Sequence, residues 1–103
     1  MNEVTKAILE VSKLYRRRYG MTPRRMNRGL CEQFAEDVLE LVKEVDDVSI
    51  EDNASEWFNH CWLEYKDRYY DAKAPYGVDE VADLPIFLRN RSILEAQDSW
   101  ILK

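Results

Sequence analysis

The sequence predicts an α+β fold in which helices pack on a small antiparallel sheet. Over residues 2–18 and 28–45, apolar side chains recur every three or four positions, which is typical of amphipathic helices. From Glu56 onward the apolar period changes to two and aromatic residues dominate, which is typical of strands. With 103 residues the chain has the length of one small domain, so we assign residues 1–103 to a single domain.

The first helix is predicted over residues 2–18. Asn2 is a suitable N-cap, and Gly20 follows the last turn, where a helix commonly ends. The three arginines of the last turn suit the negative end of the helix dipole. The apolar stripe of this helix consists of Val4, Ile8, Val11 and Tyr15.

The second helix, over residues 28–45, follows a connection at residues 21–27. Asn27 is its expected N-cap, which places Cys31 in about the first turn. Acidic residues fill much of the surface outside the apolar stripe. That stripe contains Cys31, Phe34, Ala35, Val38, Val42 and Val45.

The second half of the chain predicts strands. An acidic loop at residues 46–55 contains a short apolar island, residues 48–50, that fits an edge strand. The strand that begins at Glu56 has two faces with different side chains. One face carries Phe58, His60, Trp62 and Glu64, and the other carries Trp57, Cys61, Leu63 and Tyr65.

A hairpin follows this strand. Lys66 and Asp67 are its predicted turn, and residues 68–72 form the returning strand. Residues 84–88 are a candidate third strand, in which the proline favours an edge position or a strand start. Residues 92–102 fit either a short helix or a strand.

The net charge of −5 is divided unevenly along the chain. Residues 1–28 carry eight Lys or Arg and two Asp or Glu, whereas the remaining residues carry seven and 18. One interpretation is a solvated basic face that complements the acidic body, and the other is a surface for an anionic partner, such as nucleic acid, a phosphate or a charged protein. The arginines of that surface are Arg16, Arg17, Arg18, Arg24, Arg25 and Arg28. The overall acidity argues against binding of duplex nucleic acid.

The sequence lacks the usual signals of several functional classes. The N-terminus does not read as an export signal, and no apolar run approaches the roughly 20 residues of a membrane span, so we expect a cytoplasmic protein without a membrane partner. One histidine and two separate cysteines do not match a zinc site, and there is no glycine-rich phosphate loop. We therefore expect neither metal nor cofactor. A Cys31–Cys61 disulfide is the less favoured state of the two thiols in a reducing compartment.

Cys31, His60 and Asp71 occur in an order that suits thiol chemistry. A thiol attacks as the thiolate, and a helix N-terminus or a nearby imidazolium lowers its pKa. His60 is the only histidine, and imidazole is the one side chain that titrates near neutral pH without help. With a two-residue turn after Tyr65, Asp71 lies one diagonal step from His60 on the same sheet face. A one-residue bulge would turn Asp71 away and make Glu64 the alternative orienting residue.

Each residue also has a plainer interpretation when it is taken alone. Cys31 lies on an apolar stripe, and buried free cysteines are common. A single histidine among aromatic residues is often structural. Asp71 fits an ion pair with Arg68 or a turn cap. The three together, in this order and on compatible elements, favour a shared site over three unrelated roles.

The motifs around these residues resemble the core of a known superfamily. Gly29-x-Cys31-x-x-Phe34-Ala35 is followed by His60-x-Trp62-x-Glu64 and by Tyr70-Asp71-Ala72-x-x-Pro75-x-Gly77. This pattern is similar to transglutaminase-like and NlpC-like members of the papain-like fold, including small phage or bacterial proteins. The resemblance covers residues 28–88. It implies a minimal papain-like core and a Cys31–His60–Asp71 triad.

The resemblance also implies a chemistry. It indicates a cysteine-dependent hydrolase or acyltransferase that acts on an amide, peptide or thioester bond, with peptide, isopeptide or peptidoglycan-like substrates. Asn27, Gln33 and backbone amides near the cysteine are the expected oxyanion donors, and Trp62 is an expected support. The stretch before the cysteine lacks the glutamine of papain-type enzymes, and the spacing of 29 residues from Cys31 to His60 is short for transglutaminases. Because the superfamily contains inactive members, a non-catalytic modulator is the alternative function.

Overall fold

A computed structural model describes residues 1–53 and 59–89 of the chain. Within them, helices and a four-stranded antiparallel sheet form an α+β fold, which confirms the predicted class. The helices are α1 (Glu3–Tyr19), α2 (Pro23–Gly29), α3 (Cys31–Leu41) and α4 (Pro85–Arg89), with a 3₁₀ turn at Val81–Asp83. The strands are β1 (Ser49–Asp52), β2 (Cys61–Tyr65), β3 (Arg68–Asp71) and β4 (Ala74–Val78).

Helix α1 follows the prediction closely. The Asn2 side chain accepts a hydrogen bond of 2.8 Å from the Thr5 amide and caps the N-terminus. Gly20 adopts a left-handed conformation, φ 65°, and its amide donates to the Arg16 carbonyl at 2.9 Å. Both ends are therefore fixed by the residues that the sequence indicated.

The predicted helix over residues 28–45 is wrong at both ends. Thr22 caps α2, and Pro23 occupies its first turn, a combination that starts a helix earlier than Asn27 would. Asn27 is consequently a buried residue within α2 and not an N-cap. The chain leaves helical geometry at Leu30, and α3 begins at Cys31. Helix α3 ends at Leu41, four residues before the predicted end.

The hairpin of β2 and β3 has the predicted two-residue turn. Lys66 and Asp67 both have positive φ values, 51° and 60°, as a tight hairpin turn of matching twist requires. Tyr65 pairs with Arg68, and Leu63 pairs with Tyr70. This register has no bulge, and continued by one pair it places Trp62 opposite Asp71 and Asp71 one diagonal step from His60, as predicted.

The remaining strands differ from the prediction in part. The apolar island at residues 48–50 leads into β1, which pairs with β2 at the sheet edge. Residues 84–88 are not a strand: Pro85 begins the helix α4, because proline suits a first helical turn, and the third partner in the sheet is β4. The predicted strand start at Glu56, with Trp57 and Phe58, and residues 92–102 lie outside the described residues.

Apolar side chains cover both faces of the sheet. Leu63 and Tyr70 belong to the larger core, which α1 and α3 complete. Trp62 faces the other side and packs with Leu84 and Phe87 in a second, smaller core. In the described part of the chain, no helix combines the length and apolar character that crossing a membrane requires.

Candidate active site

Cys31 is the first residue of α3. Leu30, the residue before it, makes no side-chain hydrogen bond to the amides of the first turn. The thiol is partly exposed, and its Sγ accepts a hydrogen bond of 3.4 Å from the Cys61 amide on β2. Cys31 thus lies where the helix dipole and a backbone donor both favour a thiolate.

His60 lies immediately before β2 and is fully buried. Its amide donates to Asn53 Oδ1 at 2.9 Å, which fixes the backbone. The Trp62 and Phe87 rings lie 6.2 and 5.7 Å from the imidazole, centroid to centroid. Backbone and ring are therefore both held in one orientation.

Asp71 ends β3 and binds the imidazole directly. His60 Nε2 lies 2.9 Å from Asp71 Oδ2, and because a carboxylate only accepts, Nε2 carries the proton. The other carboxylate oxygen, Oδ1, accepts from the amides of Lys73 and Ala74, each at 2.9 Å. Asp71 therefore both caps the turn after β3 and fixes the imidazole tautomer.

The thiol of Cys31 interacts with the imidazole of His60. Nε2 is engaged by Asp71, which leaves Nδ1 as the nitrogen available to the thiol. Nδ1 is buried and has no hydrogen-bond partner among the described residues, and catalytic hydrogen bonds often form only when substrate binds. Cys31, His60 and Asp71, the candidate triad, thus lie side by side.

This arrangement changes the pKa values of both partners. Burial opposes the charged form of Cys31, but the neighbouring His60 imidazolium and the hydrogen bond from the Cys61 amide outweigh it and lower the pKa of the thiol. Burial likewise disfavours a charged His60, but Asp71 and Cys31 raise the pKa of the imidazole to about 9. Both directions favour a thiolate–imidazolium pair at neutral pH.

Cys61 differs from Cys31 in every respect that controls reactivity. It is buried, and desolvation together with the neighbouring Cys31 thiolate raises the pKa of Cys61 to about 12. Both cysteines are free thiols in the structure. Of the two thiols, Cys31 is therefore the candidate nucleophile.

The structure also decides between the alternatives for Asp71 and Glu64. Glu64 pairs across the hairpin with Tyr69, and its side chain makes no hydrogen bond with His60. Arg68 forms an ion pair with Asp79 and not with Asp71. Asp71 is accordingly the residue that orients His60.

The three expected supporting residues have different positions. Trp62 packs beside His60 as described above. Asn27 lines a cavity between α2 and α4 whose described lining residues do not include the triad. The Gln33 side chain interacts with the Tyr15 hydroxyl on α1, so the structure does not bring it to the triad.

Two neighbours of His60 were missed from the sequence. Asn53 was assigned to an acidic loop, and a lone asparagine seven residues before a histidine gives no recognisable signal. The sequence pattern places Phe87 on a strand, whereas it lies on α4. The local signal for that helix is Pro85, since proline is common in the first turn of a helix.

Within residues 1–53 and 59–89, no cluster of three or more His, Cys, Asp or Glu side chains is arranged to bind a metal ion. Comparisons of the chain with protein-family models, with curated proteins and with solved structures gave no match.

Proposed function

We propose that this protein is a cysteine-dependent hydrolase or acyltransferase that acts on an amide, peptide or thioester bond. The observation that carries the proposal is the His60–Asp71 hydrogen bond beside the Cys31 thiol, whose pKa is lowered by His60 and by the Cys61 amide. A fixed tautomer, an activated thiol and a helix N-terminus are the parts that such chemistry needs.

The chemistry would proceed in two stages. The Cys31 thiolate attacks the carbonyl carbon, and the His60 imidazolium gives its proton to the departing amine or thiol, which leaves an acyl thioester on Cys31. In hydrolysis, His60 then takes a proton from water, and the hydroxide equivalent releases the carboxylic acid and regenerates the thiolate. In transfer, an acceptor amine replaces the water. Asp71 holds the imidazole in place throughout.

The oxyanion of each tetrahedral intermediate requires donors near Cys31. The amides of Cys31 and Glu32, in the uncapped first turn of α3, are the donors that we propose. They replace the side chains of Asn27 and Gln33 in this role, because Asn27 lies within α2 and Gln33 interacts with Tyr15.

The resemblance to transglutaminase-like and NlpC-like proteins supports the same proposal. It favours a peptide, isopeptide or peptidoglycan-like substrate and a minimal papain-like core. A thiolate nucleophile has to stay reduced, so we propose a reducing compartment such as the cytoplasm as its place of action.

The test is the pH dependence of iodoacetamide labelling at Cys31, in a Cys61→Ser background. We expect a labelling pKa clearly below the free-cysteine value of about 8.5, and a return toward that value when His60→Ala is added. Ser12→Ala, a change on α1, is a control that should leave the profile unchanged. Labelling with an unshifted pKa, or one insensitive to His60→Ala, would disprove the activated pair.

A second candidate is a non-catalytic binding protein, such as a phage-encoded modulator, on the same scaffold. It is favoured by the complete burial of His60 and by the basic surface of Arg16, Arg17, Arg18, Arg24, Arg25 and Arg28. Here the biological effect would survive Cys31→Ala and fail on charge reversal of Arg24 and Arg25. If instead the effect were lost in Cys31→Ala and kept on charge reversal of Arg24 and Arg25, the thiol enzyme would be the better description.

A further inference from the structure

A basic cavity of about 240 Å³ lies between α2, the turn after β3, and α4. Its polar lining consists of Arg24, Asn27, Arg28, Lys73 and Arg89, and we call this set the basic pocket. An apolar wall is added by the start of α4. The pocket brings together cations that are far apart in the sequence.

None of the four cations of the basic pocket forms an ion pair with a residue of the ranges 1–53 and 59–89. None has a carboxylate oxygen within 4.0 Å in the described part of the chain, whereas Lys6, Lys43 and Arg68 all do. No Asp or Glu is found in the described lining either. Four like charges around one concave surface focus a positive potential inside it, and this attracts an anion.

Asn27 adds an independent observation. It is only 4% exposed and lines the cavity, and its side-chain atoms are not among the fully buried polar atoms that lack a partner. Its amide is therefore reached from the cavity. An amide that offers two donors to a positively charged cavity is suited to the oxygens of an anionic ligand.

We propose that the basic pocket binds a compact phosphoryl group, as phosphate or diphosphate. Three guanidinium groups, an ammonium and an amide supply more donors and charge than one carboxylate can use, and arginine matches phosphate oxygens in pairs. The cavity has about eight times the volume of a liquid water molecule, roughly 30 Å³, which suits a diphosphate. A concave surface of this small size, in an acidic protein, does not suit a nucleic-acid duplex.

The pocket adjoins the candidate triad without sharing its side chains. The Lys73 amide donates to Asp71, and Ile86 of the apolar wall precedes Phe87, which packs on His60. Phosphoryl binding does not depend on thiol chemistry. It therefore goes beyond the proposed function, and each inference can fail without the other.

The test is a calorimetric titration of the full chain with inorganic phosphate, pyrophosphate and succinate, each at the same ionic strength. We expect saturable binding of one anion per chain, tighter for pyrophosphate than for phosphate and weakest for succinate. Arg24→Gln with Arg28→Gln should weaken pyrophosphate binding about tenfold or more. Arg16→Gln with Arg18→Gln removes the same charge outside the pocket and should leave binding within about twofold.

Two further variants separate the possible failures. Asn27→Asp, which keeps the side-chain size but adds a negative charge, should abolish binding while circular dichroism shows an intact fold. Cys31→Ala should bind pyrophosphate normally, whatever the outcome of the labelling experiment. Absence of saturation, equal loss in both arginine pairs, equal affinity for succinate, or binding of a DNA duplex in place of pyrophosphate would each disprove the phosphoryl site.

Discussion

His60 shows how opposing effects are resolved at a single residue. Complete burial favours the neutral imidazole, whereas the Asp71 carboxylate and the Cys31 thiol both favour the cation. The two partners prevail because Asp71 bonds the ring at 2.9 Å in surroundings where water does not screen the charges. The state of His60 therefore reports on the integrity of the whole triad.

We expect the His60 imidazole to titrate near pH 9, and not near 6.5. Because His60 is the only histidine, carbon-detected NMR of the labelled ring gives one unambiguous curve. Asp71→Asn keeps an acceptor for the amides of Lys73 and Ala74 but removes the charge, so the titration should move down toward 6.5. Asp46→Asn, an exposed control, should not move it. A wild-type titration near 6.5 would contradict the assigned pair.

The raised pKa of His60 and the lowered pKa of Cys31 change the pH dependence of stability in opposite directions. A raised pKa of His60 makes the folded state bind more protons than the unfolded state above pH 6.5, so its stabilisation is complete below that value and is lost as pH rises toward 9. A lowered pKa of Cys31 contributes stability that is complete above the ordinary value of 9.0 and is lost as pH falls. In the wild type the two slopes oppose each other.

Removing the thiol should expose the His60 slope. We expect the unfolding free energy of Cys31→Ser to fall as pH rises above 6.5, more steeply than that of the wild type. Urea unfolding midpoints between pH 6 and 9 measure this difference. Adding His60→Gln to Cys31→Ser should flatten the curve again. If the curve of Cys31→Ser ran parallel to that of the wild type, the protonation of His60 and that of Cys31 would not be coupled.

At the scale of elements, the β2–β3 hairpin determines the site. Its two-residue turn sets a register in which Asp71 and Trp62 share a face with His60, and a shift by one residue would turn Asp71 to the other side. The irregularity in the sheet falls instead between β3 and β4, beyond Tyr69. The strand that carries Asp71 is thus regular where it meets β2.

Gly77 lies on β4, next to Val78, the residue that pairs with Tyr69 at the irregularity. Its φ of 84° is unfavourable for other residues, and an added Cβ would lie 2.8 Å from the Tyr70 ring. We expect Gly77→Ala to destabilise the protein by about 2–4 kcal/mol, the sum of backbone strain and overlap. Gly20→Ala, with φ 65° and nothing within 4 Å, should cost only about 1 kcal/mol. Equal losses in chemical denaturation would contradict the steric contribution of Tyr70.

The elements also show which features were readable from the sequence. The caps of α1, the Lys66-Asp67 turn and the diagonal step from His60 to Asp71 follow from local rules, and the structure has all three. Asn27 was misplaced because the Thr22-Pro23 start signal is stronger. The role of Asn53 depends on tertiary packing around His60, which no local pattern encodes, whereas Pro85 is a local helix-start signal for residues 85–89 that the strand prediction overlooks.

At the scale of the whole molecule, the candidate site joins two apolar cores. Cys31 starts α3, which packs on the larger core, whereas the His60 ring contacts Trp62 and Phe87 of the smaller one. The relative position of thiol and imidazole consequently depends on both faces of the sheet. The smaller core, formed in part by α4, also provides a wall of the basic pocket.

A pair of core substitutions tests this division. Phe87→Leu removes the ring that lies 5.7 Å from the imidazole, and Ile8→Val removes one methylene from the larger core. Each should cost about 1–2 kcal/mol of unfolding free energy. Only Phe87→Leu should also raise the labelling pKa of Cys31 toward the ordinary value, because His60 loses its packing partner while α1 and α3 stay in place. If Ile8→Val changed the labelling profile as much, the thiol would respond to global stability and not to the support of His60 by the smaller core.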